Sequence, residues 1–216
     1  ATESPEDVRA AHLFQVQNND WVLDPLFKKQ YPADLAELWS DTEPLVLDGD
    51  METIGAPIDY LGVNYYFRTS LKSDGAHGFV EVPVAGVERT QMGWEVHPDG
   101  LHQLLVQFHK TYPNLPPIYI TENGMAADDK VNNGEVDDQQ RIRFIGGHLR
   151  AVDQAMREGV DVRGYFVWSL MDNFEWAFGY ERRFGIVHVD YGTQVRTPKR
   201  SALTIRRFLE ERRHSA

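Results

Sequence analysis

Two groups of residues in this chain combine types and spacing that could do chemistry. The first is Ile118-Tyr119-Ile120-Thr121-Glu122-Asn123-Gly124, where a β-branched apolar run ends in a carboxylate. Bounded by Pro116-Pro117 and an Asn-Gly turn, the run predicts a buried strand that stops where Glu122 begins. In a parallel α/β sheet that end of a strand is where chemistry is found. Taken by itself, Glu122 reads more readily as a surface acid opening a turn. The second group is Gly164-Tyr165-Phe166-Val167-Trp168-Ser169-Leu170-Met171-Asp172-Asn173-Phe174-Glu175-Trp176. Indole rings offer a face on which a sugar ring can stack. An aromatic-rich core loop is the alternative, but an apolar core avoids unpaired carboxylates such as those set between these rings. The pattern favours a sugar site.

The elements that must position these groups follow from periodicity and punctuation. Ser4-Pro5-Glu6-Asp7 is a helix start, with a capping hydroxyl, a first-turn proline and acids at the positive helix end. The helix is expected to run to about Asn18, with a second, short one from Tyr31-Pro32-Ala33-Asp34 to Trp39. Ile58 to Tyr66 reads as a strand, and residues 67–93 as an excursion with short strands. Leu101, Leu104, Leu105 and Phe108 recur at helical spacing after Pro98-Asp99-Gly100. Pro117 to Thr121 is the next strand, 125–137 a polar loop, and Asp138 to Glu158 a long helix stopped by Gly159. Val162 to Trp168 is a third strand. A hairpin is expected from Val187–Asp190 and Gln194–Arg196, then an amphipathic helix from Pro198 to Arg212. Gly146-Gly147, inside the long helix, marks close packing rather than phosphate binding.

Strand-helix alternation is the grammar of parallel βαβ units. Only three such strands are legible, whereas a closed barrel of this kind has eight. The expected fold is therefore α/β: about three βα units, the C-terminal part of a (β/α)8 TIM barrel, with residues 1–216 forming one portion of a single barrel.

Composition narrows the partners. A formal net charge of -11 argues against nucleic acid, whose phosphates require a basic face. With no cysteine, disulfide and thiolate chemistry are excluded. No apolar run approaches the ~20 residues that span a bilayer. Ala1 to Asp7 is polar and acidic, unlike a secretory signal, so a cytoplasmic protein is the expectation, although a processed secreted one would look the same. His97, His102 and His109 lack metal-ligand spacing and a carboxylate partner, and no metal is expected.

Taken in order, Asp59–Tyr66, Met92-Gly93-Trp94-Glu95-Val96-His97-Pro98, Ile118–Gly124 and Gly164–Trp176 with Gly179-Tyr180 and Arg183-Phe184-Gly185 closely resemble the C-terminal portion of family 1 glycoside hydrolases, the β-glucosidases and their relatives. The resemblance runs from about Trp21 to Lys199. It implies retaining hydrolysis of β-glucosides or related oligosaccharides without a cofactor. Glu122 then matches the nucleophile in its Thr-Glu-Asn-Gly motif, and Tyr66 the tyrosine whose hydroxyl bonds that carboxylate. From the residues alone, Tyr66 could be a core aromatic at a strand end. Trp168 resembles the stacking platform, and Glu175 and Trp176 the pair that bonds sugar hydroxyls. Phe184 lines the same pocket, Trp94 and Phe178 border the leaving-group side, and Asn64 faces the pocket mouth.

The resemblance also exposes a gap. The family's acid/base glutamate lies in an Asn-Glu-Pro motif on the fourth strand, and Asn-Glu-Pro does not occur here. Thr42-Glu43-Pro44 lacks both the asparagine and the strand. The partner expected is the N-terminal barrel portion, as a separate chain or a missing segment. The competing expectation is a non-catalytic sugar-binding or interaction module. Against it stand the continuous apolar runs Tyr60–Val63 and Gly164–Val167, which would leave raw sheet edges if unpartnered. Ala177 to Arg182 lacks the Ser and Lys with which the family's phospho-glycosidases grip phosphate.

Overall fold

The computed structural model describes residues 2–39, 46–75 and 78–213. Thr42-Glu43-Pro44 lies outside the described residues. The chain opens with α1 (Pro5–Gln15), a π turn (Val16–Asp20), α2 (Trp21–Lys28), α3 (Leu35–Leu38) and α4 (Asp50–Ile54). Next come β1 (Leu61–Asn64), β2 (Leu71–Ser73), β3 (Phe79–Glu81), α5 (Pro98–Thr111) and β4 (Ile118–Asn123). After these follow α6 (Gln139–Arg157), β5 (Val162–Val167), a 3-10 turn (Trp176–Phe178), β6 (Val187–Val189), β7 (Arg196–Pro198) and α7 (Arg200–Arg213). No helix among the described residues is long and apolar enough to cross a membrane.

The chain divides into two compact units. One comprises residues 1–59, 69–86 and 110–116. Its first helix starts as expected: the Asp7 N–H donates to Ser4 Oγ at 3.2 Å, with Pro5 in the first turn. The helical path does not stop at Asn18, however. It widens into the π turn and resumes as α2, which contains Pro25. α2 continues through Pro25 although a proline inside a helix removes the hydrogen bond to the residue four before it. Asp24, buried in α2, accepts from the Tyr112 hydroxyl at 2.8 Å and pairs with Lys28 at 2.9 Å. The second expected helix shrinks to the single turn of α3. β2 and β3 form an antiparallel hairpin, and Phe79 meets Phe14 edge-on at 5.2 Å.

The other unit comprises residues 60–68, 87–109 and 117–216. Its sheet has the order β1-β4-β5, with both pairings parallel. Ile118 and Ile120 of the central strand β4 are buried on one face of the sheet, while Tyr119 and Thr121 on the other are not. The first strand is shorter than the apolar run that suggested it, because the register slips between Val63 and Asn64 and the chain leaves the sheet at Tyr65. α6 ends at Arg157, and Gly159 follows with φ +99, a conformation that favours glycine. Gly147 supplies the close approach in α6, since a Cβ there would lie 2.9 Å from Pro98 Cγ.

Residues 125–137 form the polar loop expected over most of their length, but the loop starts inside the core. Met125 and Ala126 are fully buried, and Met125 joins Phe144 and Ile145 in a core cluster against which Tyr165, Val167 and Ile205 pack. The hairpin forms, but its second strand is Arg196–Pro198 rather than Gln194–Arg196.

Candidate active site

Three parallel strands bring three C-terminal ends together. Glu122 is the penultimate residue of β4, Tyr66 lies two residues beyond β1, and Trp168 directly follows β5. Backbone bonds lock the junction: the Tyr65 N–H donates to the Glu122 carbonyl at 3.0 Å, and the Trp168 N–H to the Asn123 carbonyl at 2.9 Å. The Tyr66 hydroxyl then donates to Glu122 Oε2 at 2.7 Å. Among the described residues Oε1 of Glu122 accepts no hydrogen bond. Burial, followed by the bond to Glu122 and the charges of Glu122 and Glu175, holds the Tyr66 hydroxyl well above the ordinary tyrosine range. It therefore stays a proton donor through neutral and mildly alkaline pH.

Asn123 was missed as a site-building residue. It is fully buried, donating through Nδ2 to the Tyr65 carbonyl at 2.6 Å and accepting from the Tyr165 hydroxyl. One amide so ties β4 to the chain after β1 and to β5. Gly124 has an equally local reason, since a Cβ there would fall 1.7 Å from the Trp168 carbonyl oxygen. Asn-Gly here is a strand end that must admit another backbone, not the hairpin-like turn it suggests in isolation.

Aromatic rings surround the Tyr66–Glu122 pair. Trp94 sits 5.4 Å from the Tyr66 ring and stacks on Phe67 at 5.0 Å. Phe184 meets Tyr66 edge-on at 6.3 Å and lies 6.1 Å from Trp94. Phe184 is fully buried among them, so it backs the site rather than facing solvent. Trp168 and Glu175 are half-buried, and Glu175 Oε2 is buried with no hydrogen-bond partner. Trp176 is 82% exposed and Phe178 43% exposed, with the Arg182 guanidinium 5.1 Å from the Phe178 ring. Asn64 is the cross-strand neighbour of Glu122, and its exposed side chain accepts from Thr121 Oγ1 at 2.7 Å rather than from either member of the Tyr66–Glu122 pair.

Beneath the segment after β5 lies a buried set of charges that pattern reading did not find. Asp172 accepts from Arg183 Nη1 at 2.6 Å and Lys199 Nζ at 2.8 Å. Lys199 also donates to Asp129 at 2.6 Å, and Arg141 joins Asp129 at 2.7 Å and Asp138 at 2.6 Å. Three carboxylates face three cations, which is how buried charge is tolerated. Burial, and then the charge of Arg141, lowers the Lys199 pKa from its usual value.

In chemical terms, the arrangement is a carboxylate with one oxygen bonded by a phenol and the other without a protein donor among the described residues. A second carboxylate and several rings lie along the adjoining segment. A family model described as "Glycosyl hydrolase family 1" matches residues 1–213. A bifunctional β-D-glucosidase/β-D-fucosidase of Bifidobacterium breve is 43% identical over 97% of this chain and 50% of its own length. A β-glucosidase of an Agrobacterium species is 42% identical over 93% of this chain and 45% of its own length. The crystal structure of the β-glucosidase from Exiguobacterium antarcticum superposes with a TM-score of 0.93 at 38% identity, over 99% of this chain and 48% of that one. The chain spans about half the length of the curated relatives it matches. Its three-stranded parallel sheet and helices are part of a (β/α)8 barrel.

Proposed function

This chain belongs to glycosyl hydrolase family 1, and from that premise we propose that it supplies the nucleophile and much of the sugar-binding surface of a retaining β-glucosidase. The observation that carries the reading is the 2.7 Å bond from Tyr66 to Glu122 at the end of the central strand. Glu122 attacks the anomeric carbon through its free oxygen while a general acid protonates the departing glycosidic oxygen. The glycosyl-enzyme ester is then cleaved by water, which the same group, now a base, deprotonates. Trp168 stacks on the sugar, Glu175 and Trp176 bond its hydroxyls, and Trp94 and Phe178 border the leaving group. Asn64 sits at the mouth. The unpartnered Oε2 of Glu175 supports a role in accepting sugar hydroxyl protons, because a buried carboxylate oxygen left unbonded is costly. A non-phosphorylated β-glucoside or short oligosaccharide fits the Ala177–Arg182 segment.

The acid/base carboxyl comes from an N-terminal barrel portion, and residues 1–216 are the C-terminal portion of one barrel. In support, among the described residues both outer strands of the sheet, β1 and β5, have an open edge, and Tyr60, just before β1, and Phe166, within β5, are 56% and 57% exposed. Exposed apolar strand edges call for a covering partner.

The test is turnover of an aryl β-glucoside. The chain joined or mixed with the N-terminal portion should turn over, and the chain alone should not. Glu122→Gln in the assembled protein should lose at least about 10⁴-fold in kcat. Full turnover by the isolated chain, or retained turnover in Glu122→Gln, would refute the reading.

A further inference from the structure

We propose that Asp172, clamped between Lys199 and Arg183, is a positioning residue that sets the turn carrying Glu175 and thereby controls recognition of the sugar hydroxyls. The inference rests on the sugar-binding reading of Glu175.

Asp172 lies four residues after Trp168 and three before Glu175. Up to Asp172 the segment is zipped to the chain returning through 184–187. The Ser169 N–H donates to the Phe184 carbonyl at 3.2 Å, the Ile186 N–H to Ser169 at 2.9 Å, and the Asp172 N–H to Val187 at 3.0 Å. The Asp172 carboxylate completes the attachment by accepting from the Gly185 N–H at 3.0 Å and the Val189 N–H at 3.3 Å. A Cβ on Gly185 would sit 2.1 Å from the Asp172 nitrogen, so the two strands of this attachment touch backbone to backbone.

Beyond Asp172 the attachment thins. Glu175 bonds within its own turn, through its N–H to the Gly179 carbonyl at 2.6 Å, and Phe174 and Trp176 are both well exposed. What reaches back is the Tyr191 hydroxyl, which donates to the Asn173 carbonyl at 3.4 Å, and a chain of rings. Phe174 meets Tyr180 at 5.6 Å, Tyr180 meets Tyr191 at 4.6 Å, and the Arg183 guanidinium lies 4.7 Å from the Tyr191 ring. Arg183 is itself fixed by Asp172. The recognition turn is thus held at its root by Asp172 and along its flank by rings stacked on an Asp172 partner.

Lys199 extends the clamp to the nucleophile's strand. Its ammonium bridges Asp172 and Asp129, and Asp129 lies seven residues after Glu122 in the loop that leaves β4. Arg141 bonds Asp129 and also the Arg183 carbonyl, at 2.8 Å. One buried ion set therefore fixes the loop after β4 relative to the loop after β5. Isosteric apolar packing would avoid the desolvation cost of these charges, so a geometric role accounts for them better than stability does.

The experiment compares kcat/KM for an aryl β-glucoside with that for its 4-deoxy and 6-deoxy analogues in the assembled protein. Rates are taken per active site, counted with a 2-deoxy-2-fluoro glucoside that traps the glycosyl-enzyme. If the wild-type protein neither traps this reagent nor turns over, the underlying functional reading fails and the clamp is not at issue. Given wild-type turnover, Glu175→Gln is the reference for lost hydroxyl recognition. Asp172→Asn and Lys199→Met should compress the parent-to-deoxy ratio by at least about tenfold, toward that reference, because an unmatched hydroxyl site no longer discriminates. Lys199→Arg, which keeps the charge, should restore part of the ratio. Unchanged ratios per active site in both variants would overturn the proposal. Failure of both variants to fold would overturn it too, since the clamp would then be only a support of the fold.

Discussion

The Tyr66 hydroxyl donates to Glu122 Oε2 across 2.7 Å, joining the chain after β1 to the end of β4. A donor to an ionised acceptor is worth about 1.5–3 kcal/mol. Tyr66→Phe in the assembled protein should therefore lower kcat/KM on aryl β-glucosides by roughly 10- to 100-fold while preserving the fold. Steady-state kinetics with a melting curve as control will check this. A variant within about twofold of wild type would show that Glu122 does not depend on this bond.

His148 gives a pH prediction. It is fully buried, its Nδ1–H donates to the Phe144 carbonyl at 2.8 Å, and its ring packs 4.1 Å from Phe144. Burial pushes the imidazole from 6.5 down to about 4, opposed in part by the backbone bond. Between those values the unfolded chain binds a proton that the folded one refuses. The His148 contribution is thus fully present above about pH 6.5 and falls away as pH drops toward 4, by on the order of 3 kcal/mol. Urea midpoints of wild type and His148→Asn across this range should show a shallower slope in the variant. Parallel curves would contradict the assignment.

Two glycines should behave in opposite ways. Gly124→Ala puts a methyl on the Trp168 carbonyl, and backbone cannot yield as a side-chain tip can. Overpacking of this kind costs about 1–3 kcal/mol or more, and here it should also displace Trp168 and lower kcat/KM. Gly146→Ala meets nothing nearer than the Arg150 side chain at 3.6 Å and lies inside α6, so it should stabilise by about 0.5–1 kcal/mol. Equal effects at the two sites would contradict the packing described.

Arg141 is fully buried, with Asp129, Asp138 and the Arg183 carbonyl as partners. Removing one member of such a set strands the others, so Arg141→Met should cost about 3–5 kcal/mol. Arg141→Lys should recover little, because a single ammonium cannot reach the same partners as the guanidinium fork. Chemical denaturation reads both, and a loss under about 1 kcal/mol for Arg141→Met would contradict the network.

What the sequence made legible was local. The three parallel strands stand out because each is a short apolar run between Pro or Gly signals, and Glu122 and Tyr66 mark two strand ends. What stayed hidden depends on partners distant in the chain. Asp129 looks like a solvated loop charge and Asp138 like no more than a helix start until α6 brings Arg141 and the residue before α7 brings Lys199. Asn123 looks like half of a turn until Tyr65 and Tyr165 close on its amide. The first helix reads as ending near Asn18 because nothing in the local sequence announces the π turn that carries the helical path on into α2.

In the proposed mechanism Glu122 forms the covalent bond to the sugar. The most direct measurement is to treat the assembled protein with a 2-deoxy-2-fluoro aryl β-glucoside, digest it, and map the added mass by peptide sequencing. One fluoroglucosyl group per site is expected, on Glu122, and none in Glu122→Gln. Labelling at another residue, or persistent labelling of Glu122→Gln, would contradict it.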